Sequence, residues 1–116
     1  MEGQIDRLSG KRHDDGKPRM ALLSPIAMEE IAKVLTFGAD KYGDNNWRGG
    51  FKWTRVANCL LRHIFAWLRG EDKDKESGLS HLAHAGCNIM FLLEFENYKL
   101  GEDDRWIPPK DTHLPF

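Results

Sequence analysis

The chain has 116 residues, near the commonest domain size, and its 41% hydrophobic and 30% charged residues exclude an intrinsically disordered polypeptide. Seventeen basic and eighteen acidic side chains leave a formal charge of −1, so no polycationic surface exists to coat long nucleic acid or an anionic membrane. The opening MEGQIDRLSGKRHDDGKPR lacks the apolar core of a signal peptide, and no run approaches the ~18 apolar residues of a membrane span.

One domain over residues 1–116 is expected, and residues 1–23 read as a polar N-terminal arm or loop. Ser24 followed by Pro25 supplies an N-cap hydroxyl and a proline at the first helical position. Ile31, Leu35, Gly38 and Tyr42 then fall on one face, predicting a helix over 25–42. A linker, Gly43 to Trp53, carries glycines, aromatic residues and a local excess of positive charge. Thr54 is the expected N-cap of a second helix, whose apolar stripe is Val56, Leu60 with Leu61, Ile64 and Leu68, stopped at Gly70. An acidic loop follows, with Asp72, Asp74 and Glu76. Ser80 is the expected cap of a third helix of roughly five turns, apolar on more than half its circumference through Leu82, Cys87, Ile89–Leu93 and Phe95. From Gly101 onward two prolines predict an extended tail, residues 101–116. No run alternates with period two over strand length. The prediction is an all-α bundle built on an antiparallel hairpin of the second and third helices, completed by a second copy covering surplus apolar surface. Cys59 and Cys87 sit inside apolar helical patterns, which suits a reducing cytoplasm rather than a disulfide scaffold.

Two constellations carry chemistry. His81 and His84, spaced i, i+3, and His84 and Asn88, spaced i, i+4, share a face of the third helix, and an antiparallel partner brings His63 near His84 or Asn88. With Asp72, Asp74 and Glu76 at the hairpin's open end, these groups form a candidate divalent-cation site. A plainer account has histidines satisfying buried backbone groups and a merely solvated loop. A Cys₂His₂ zinc site from Cys59, His63, His84 and Cys87 is conceivable but lacks the usual knuckle spacing. The second constellation is phosphate-friendly. Lys17 and Arg19 precede the first helix, while Lys41, Tyr42, Asn46, Trp47 and Arg48 surround its end. Cations of this kind hold phosphate oxygens, aromatic faces stack on bases, and an amide, Asn45 or Asn46, reads a purine edge. A hydrophobic lid with solubilising charges and a single-stranded nucleic-acid site are the other readings. The patch is short, which suits a mononucleotide. His13-Asp14 lacks the preceding histidine of an HD phosphohydrolase, and no Walker loop, GxGxxG or nucleophile elbow occurs.

The string KPRMALLSPIAMEEIAKVLTFGADKYGDNNWRGGFKW and, after it, LLRHIFAWLRGEDKDKESGLSHLAHAGCNIMFLLEFE resemble the phage-associated dATP/dGTP diphosphohydrolase family, related to MazG-like all-α nucleoside triphosphate pyrophosphohydrolases. The resemblance covers about Lys17 to Glu96 through its KYGxxNWR and GEDxDxESGxxHLAHAxCN segments. It implies a helical, oligomeric enzyme, a homodimer or larger, that uses Mg²⁺ or Mn²⁺ to cleave a purine dNTP to dNMP and pyrophosphate. It further implies a cytoplasmic setting, the host's cytoplasm if phage-encoded. MazG-type enzymes carry ExxE and ExxD motifs. Here Glu30 begins EIAK, and His84 and Asn88 stand where ExxD is expected. The ligand set is therefore drawn from Glu30, Asp72, Asp74, Glu76, His63, His81, His84 and Asn88, with Glu30, Asp74 and His84 in catalytic roles. The alternative is a non-catalytic, nucleotide-sequestering protein on the same scaffold.

Overall fold

The computed structural model describes residues 8–110. Among them lie three α-helices, α1 (Pro25–Tyr42), α2 (Trp53–Leu68) and α3 (His81–Tyr98), and two single 3-10 turns, Met20–Leu22 and Asn46–Gly49. No strand occurs among the described residues, and the all-α expectation holds. Residues 1–7 and 111–116, the ends of the expected arm and tail, lie outside the described residues.

The ends of α1 follow local chemistry. Ser24 Oγ accepts the Ala27 amide hydrogen at 3.2 Å, Pro25 opens the helix, and Gly43 at φ 95° closes it. Ser80 caps α3 in the same way, its Oγ accepting from Leu82 N at 3.1 Å. The second helix departs from expectation. It starts two residues earlier, with Lys52 as N-cap, and Thr54 lies within its first turn. The reason is tertiary: Asp104, from the tail, accepts the Thr54 amide hydrogen at 2.9 Å and the Thr54 hydroxyl at 2.5 Å. A distant carboxylate thus satisfies the orphan donor that a local cap usually takes.

Packing centres on α3. Val34 of α1 is buried against Ala83 and Cys87 of α3, with Ile31 and Leu35 beside it. Gly86 permits this approach, since a Cβ there would come within 2.9 Å of Ile31 Cδ1. Trp53 and Val56 of α2 bury Phe95 of α3 completely, with Trp47, Phe51, Phe91, Leu92 and Leu100 packed around them. The stripe expected on α2 is only partly used: Val56 is buried, but Leu61 and Leu68 stay exposed.

The tail is fastened to the start of α2. Trp53 Nε1 donates to the Leu100 carbonyl at 2.9 Å, Trp53 N donates to Glu102 O at 2.9 Å, and Glu102 N donates to Phe51 O at 3.2 Å. Gly50, at φ 89°, is required here, because a Cβ would lie 2.7 Å from Gly101 N. This clamp holds the linker that carries Trp47 and Arg48.

Candidate active site

A cleft of about 810 Å³ opens where α1, the 43–51 linker, α2, α3 and the acidic loop meet. That size lies within the ~300–1,000 Å³ common for small-molecule sites. One end of it is imidazole and carboxylate. His63, at mid-α2, and His84, one turn into α3, stack with ring centroids 4.4 Å apart and planes 9° apart. Behind them, His63 Nδ1 lies 2.8 Å from Nδ1 of His81, which is only 5% exposed. One donor atom each from His63, Asp74 and His81 lie within 4.8 Å of one another. The antiparallel hairpin therefore brings His63 to His84 as the spacing predicts, and to His81 as well.

The acidic loop is folded against these rings by backbone bonds: Asp72 O accepts from His81 N at 3.0 Å, and Asp74 N donates to Leu79 O at 2.8 Å. Asp74 Oδ2 accepts the amide hydrogens of Glu76 at 3.1 Å and Ser77 at 2.9 Å, and lies 3.9 Å from His84 Nε2. Partial burial pushes the Asp74 carboxyl upward, but its bonds to Ser77 outweigh this and leave it below the usual carboxylate range. His84 Nε2 is 2.7 Å from Ser77 Oγ. Burial lowers the proton affinity of His63, reinforced by the neighbouring His84 and His81, and burial likewise lowers that of His84. These directions favour an ionised Asp74 beside neutral His63 and His84 rings, the protonation state in which such groups bind a cation.

The other end of the cleft is cationic and aromatic. Lys41 pairs with Glu76 across the opening and sits 5.3 Å from the Tyr42 ring. Arg48 makes a two-point contact with Glu94, Nε to Oε2 at 2.7 Å and Nη2 to Oε1 at 3.3 Å, and its guanidinium lies 4.4 Å from the Trp47 ring centre. Trp47 in turn stacks on Phe91 at 4.4 Å. Tyr42, 64% exposed at the rim, is the most open of the aromatic rings that line the cleft, and Asn46 lines the same stretch.

Of the other residues singled out in the sequence, Glu30, Lys17, Arg19 and Asp72 do not line the cleft, whereas Asn88 does. Glu30 bonds Lys33 Nζ at 2.9 Å on the solvent face of α1, outside the cleft lining, and Lys17 and Arg19 precede α1, also outside it. Asp72 contributes its backbone carbonyl rather than a lining side chain, and Asn88 donates to the His84 carbonyl at 3.0 Å. The Cys₂His₂ set does not form a donor cluster among the described residues. Cys87 is buried and its thiol is pushed up to about 11 by that burial, so it stays protonated. Sequence reading overlooked Ser77, Glu71 and Glu94. Glu94 does carry a signal, a lone carboxylate within the apolar run of α3.

Fold and cleft together define an all-α protein whose helical hairpin carries an imidazole–carboxylate cluster beside a rim of cations and rings. Residues 7–105 match the family described as dATP/dGTP diphosphohydrolase, N-terminal, and the chain belongs to that family. A dATP/dGTP diphosphohydrolase of Salmonella phage PMBT28 is 38% identical over 98 residues, which make up 84% of this chain and 33% of that protein. The chain thus spans about a third of this relative's length. No solved structure matches the chain significantly. Among the described residues, no helix is long and apolar enough to cross a membrane.

Proposed function

We propose that the chain hydrolyses a purine deoxynucleoside triphosphate, dATP or dGTP, to the monophosphate and pyrophosphate with the help of a divalent cation. The observation that carries this reading is the juxtaposition, in one cleft, of the Asp74–His84–His63 cluster with Lys41, Arg48 and an open tyrosine. The family membership and the relative's name supply the substrate class.

His63, His81 and Asp74 would hold the cation, Mg²⁺ or Mn²⁺ by the resemblance. When bound, it neutralises triphosphate charge and acidifies water. In the reaction a water oxygen bonds to the α-phosphorus, the bond from that phosphorus to the α–β bridging oxygen breaks, and pyrophosphate leaves with the electron pair. His84, neutral and facing Ser77, takes the water proton, and Asp74 Oδ2 at 3.9 Å stabilises the imidazolium that results. Lys41 and Arg48 exchange their carboxylate partners for phosphate oxygens. Trp47, covered by Phe91 and Arg48, braces that cation, and Tyr42 stacks on the base with Asn46 at its edge. Phosphoryl chemistry asks chiefly for positioning and charge neutralisation, which these groups supply.

The chain acts as a homo-oligomer in the cytoplasm, the host's if phage-encoded. Leu61, Phe65 and Leu68 on one face of α2, with Leu82, Ile89 and Leu93 on one face of α3, are each 46% exposed or more, a surface suited to a second copy. The test of the reaction is pyrophosphate release from dATP, dGTP, dCTP and dTTP, with and without added cation. Cation-dependent release from the purines is expected. Tight binding that persists in EDTA with no pyrophosphate formed would identify the sequestering protein instead and overturn the proposal.

A further inference from the structure

Two imidazole nitrogens 2.8 Å apart, as His63 Nδ1 and His81 Nδ1 are, must share a hydrogen or a cation, because two bare lone pairs repel at that distance. The second nitrogen of His81 decides which one is bare. His81 Nε2 is buried and makes no hydrogen bond among the described residues, and Glu71 Oε2 stands 3.3 Å from it. A lone pair facing that carboxylate is unfavourable, so the proton belongs on Nε2. Nδ1 of His81 then keeps its lone pair and presents it toward His63. This is the state of a metal-ligating imidazole whose far nitrogen is steered by a carboxylate.

The neighbouring donors are equally fixed. Asp74 Oδ2 is pinned by two backbone amides, and the carboxylate joins both imidazoles within a 4.8 Å span. At metal–nitrogen bonds of ~2.0–2.1 Å, two ligands on one ion lie about 2.9 to 3.4 Å apart, so the imidazole pair needs to open by only a few tenths of an ångström. Mg²⁺ prefers oxygen donors and sheds water reluctantly, whereas imidazole suits the later first-row metals. We infer that His63 Nδ1, His81 Nδ1 and an Asp74 carboxylate oxygen form a centre selective for a first-row transition-metal dication over Mg²⁺, with Glu71 as the positioning residue for His81.

The inference rests on reading the cleft as a cation-loaded site, but its test needs no nucleotide, so a failed turnover assay and a failed metal titration are separate results. Full-length protein, stripped with a chelator and desalted, is titrated calorimetrically with Mg²⁺, Mn²⁺, Co²⁺ and Ni²⁺, and Co²⁺ loading is followed by visible absorption. Affinity is expected to rise from Mn²⁺ through Co²⁺ to Ni²⁺, with Co²⁺ about 100-fold or more tighter than Mg²⁺. His63→Gln and Asp74→Asn should each lose the Co²⁺ band while circular dichroism reports intact helices. Glu71→Gln should weaken Co²⁺ roughly 10–100-fold yet keep the band, as a group acting through another does. In ¹⁵N-histidine spectra of the unsubstituted protein, Zn²⁺ should shift Nδ1 of two residues. Equal affinity for Mg²⁺ and Co²⁺, wild-type titration by folded His63→Gln, or a Zn²⁺ shift absent from Nδ1 would each overturn the inference.

Discussion

The two ends of the cleft are built on opposite principles. At the imidazole end, side chains are locked by short bonds inside the hairpin: His63 to His81, His84 to Ser77, and Asp74 to two amides. At the cationic end, Lys41 and Arg48 are about half exposed and already paired with carboxylates that a ligand has to displace. The first end is preorganised, which is what a reacting centre or ion needs. The second is exchangeable, which suits capture and release of a polyanion.

The largest expected effect falls on the locked end. Replacing His84 by Ala should lower kcat for pyrophosphate release by about 10²–10⁴-fold, the range for a proton-transferring group, with little change in KM. Steady-state kinetics check this, and an equal rise in KM would place His84 in binding instead. Arg48→Ala should cost on the order of 10²-fold in kcat/KM, and raised salt should weaken substrate capture in the wild type through the same exposed charges. Wild-type turnover by Arg48→Ala would remove the rim from the mechanism.

The clamp between tail and linker separates the two ends further. Gly50→Ala forces an alanine to φ 89° against Gly101, so it should destabilise by about 1–3 kcal/mol and loosen Trp47 and Arg48. Denaturant melts and a KM rise read this, while metal affinity at the other end should not move. The smallest effect concerns acid. The Thr54 hydroxyl and then its amide hold the Asp104 carboxyl below its ordinary value. A folded-state value lower than the unfolded one means the contribution is complete above about pH 4 and fades as pH falls through the folded value. Asp104→Asn should therefore flatten the acid limb of a stability-versus-pH curve and leave the curve between pH 6 and 8 parallel to wild type.

Much of the frame was legible because its causes are local. Ser24, Pro25 and Gly43 bound α1 within a few residues of the groups they satisfy, and Ser80 does so for α3. His63 reaches His84 because an antiparallel hairpin leaves few registers for two helices packed side by side. The start of α2 was misread because its cap comes from Asp104, fifty positions away. Glu94 was missed for the same reason, its partner Arg48 being forty-six residues distant.

Periodicity, caps and composition alone determined that this chain is helical, where its helices lie apart from the start of α2, and which residue types carry charge and rings. Only the packed structure decided which imidazole nitrogen faces which, that Glu71 stands against His81, and that the tail fastens the rim to α2. The physical reason is range. Helix formation follows from neighbours three and four residues apart, whereas a site depends on side chains whose encounter is set by how whole helices pack.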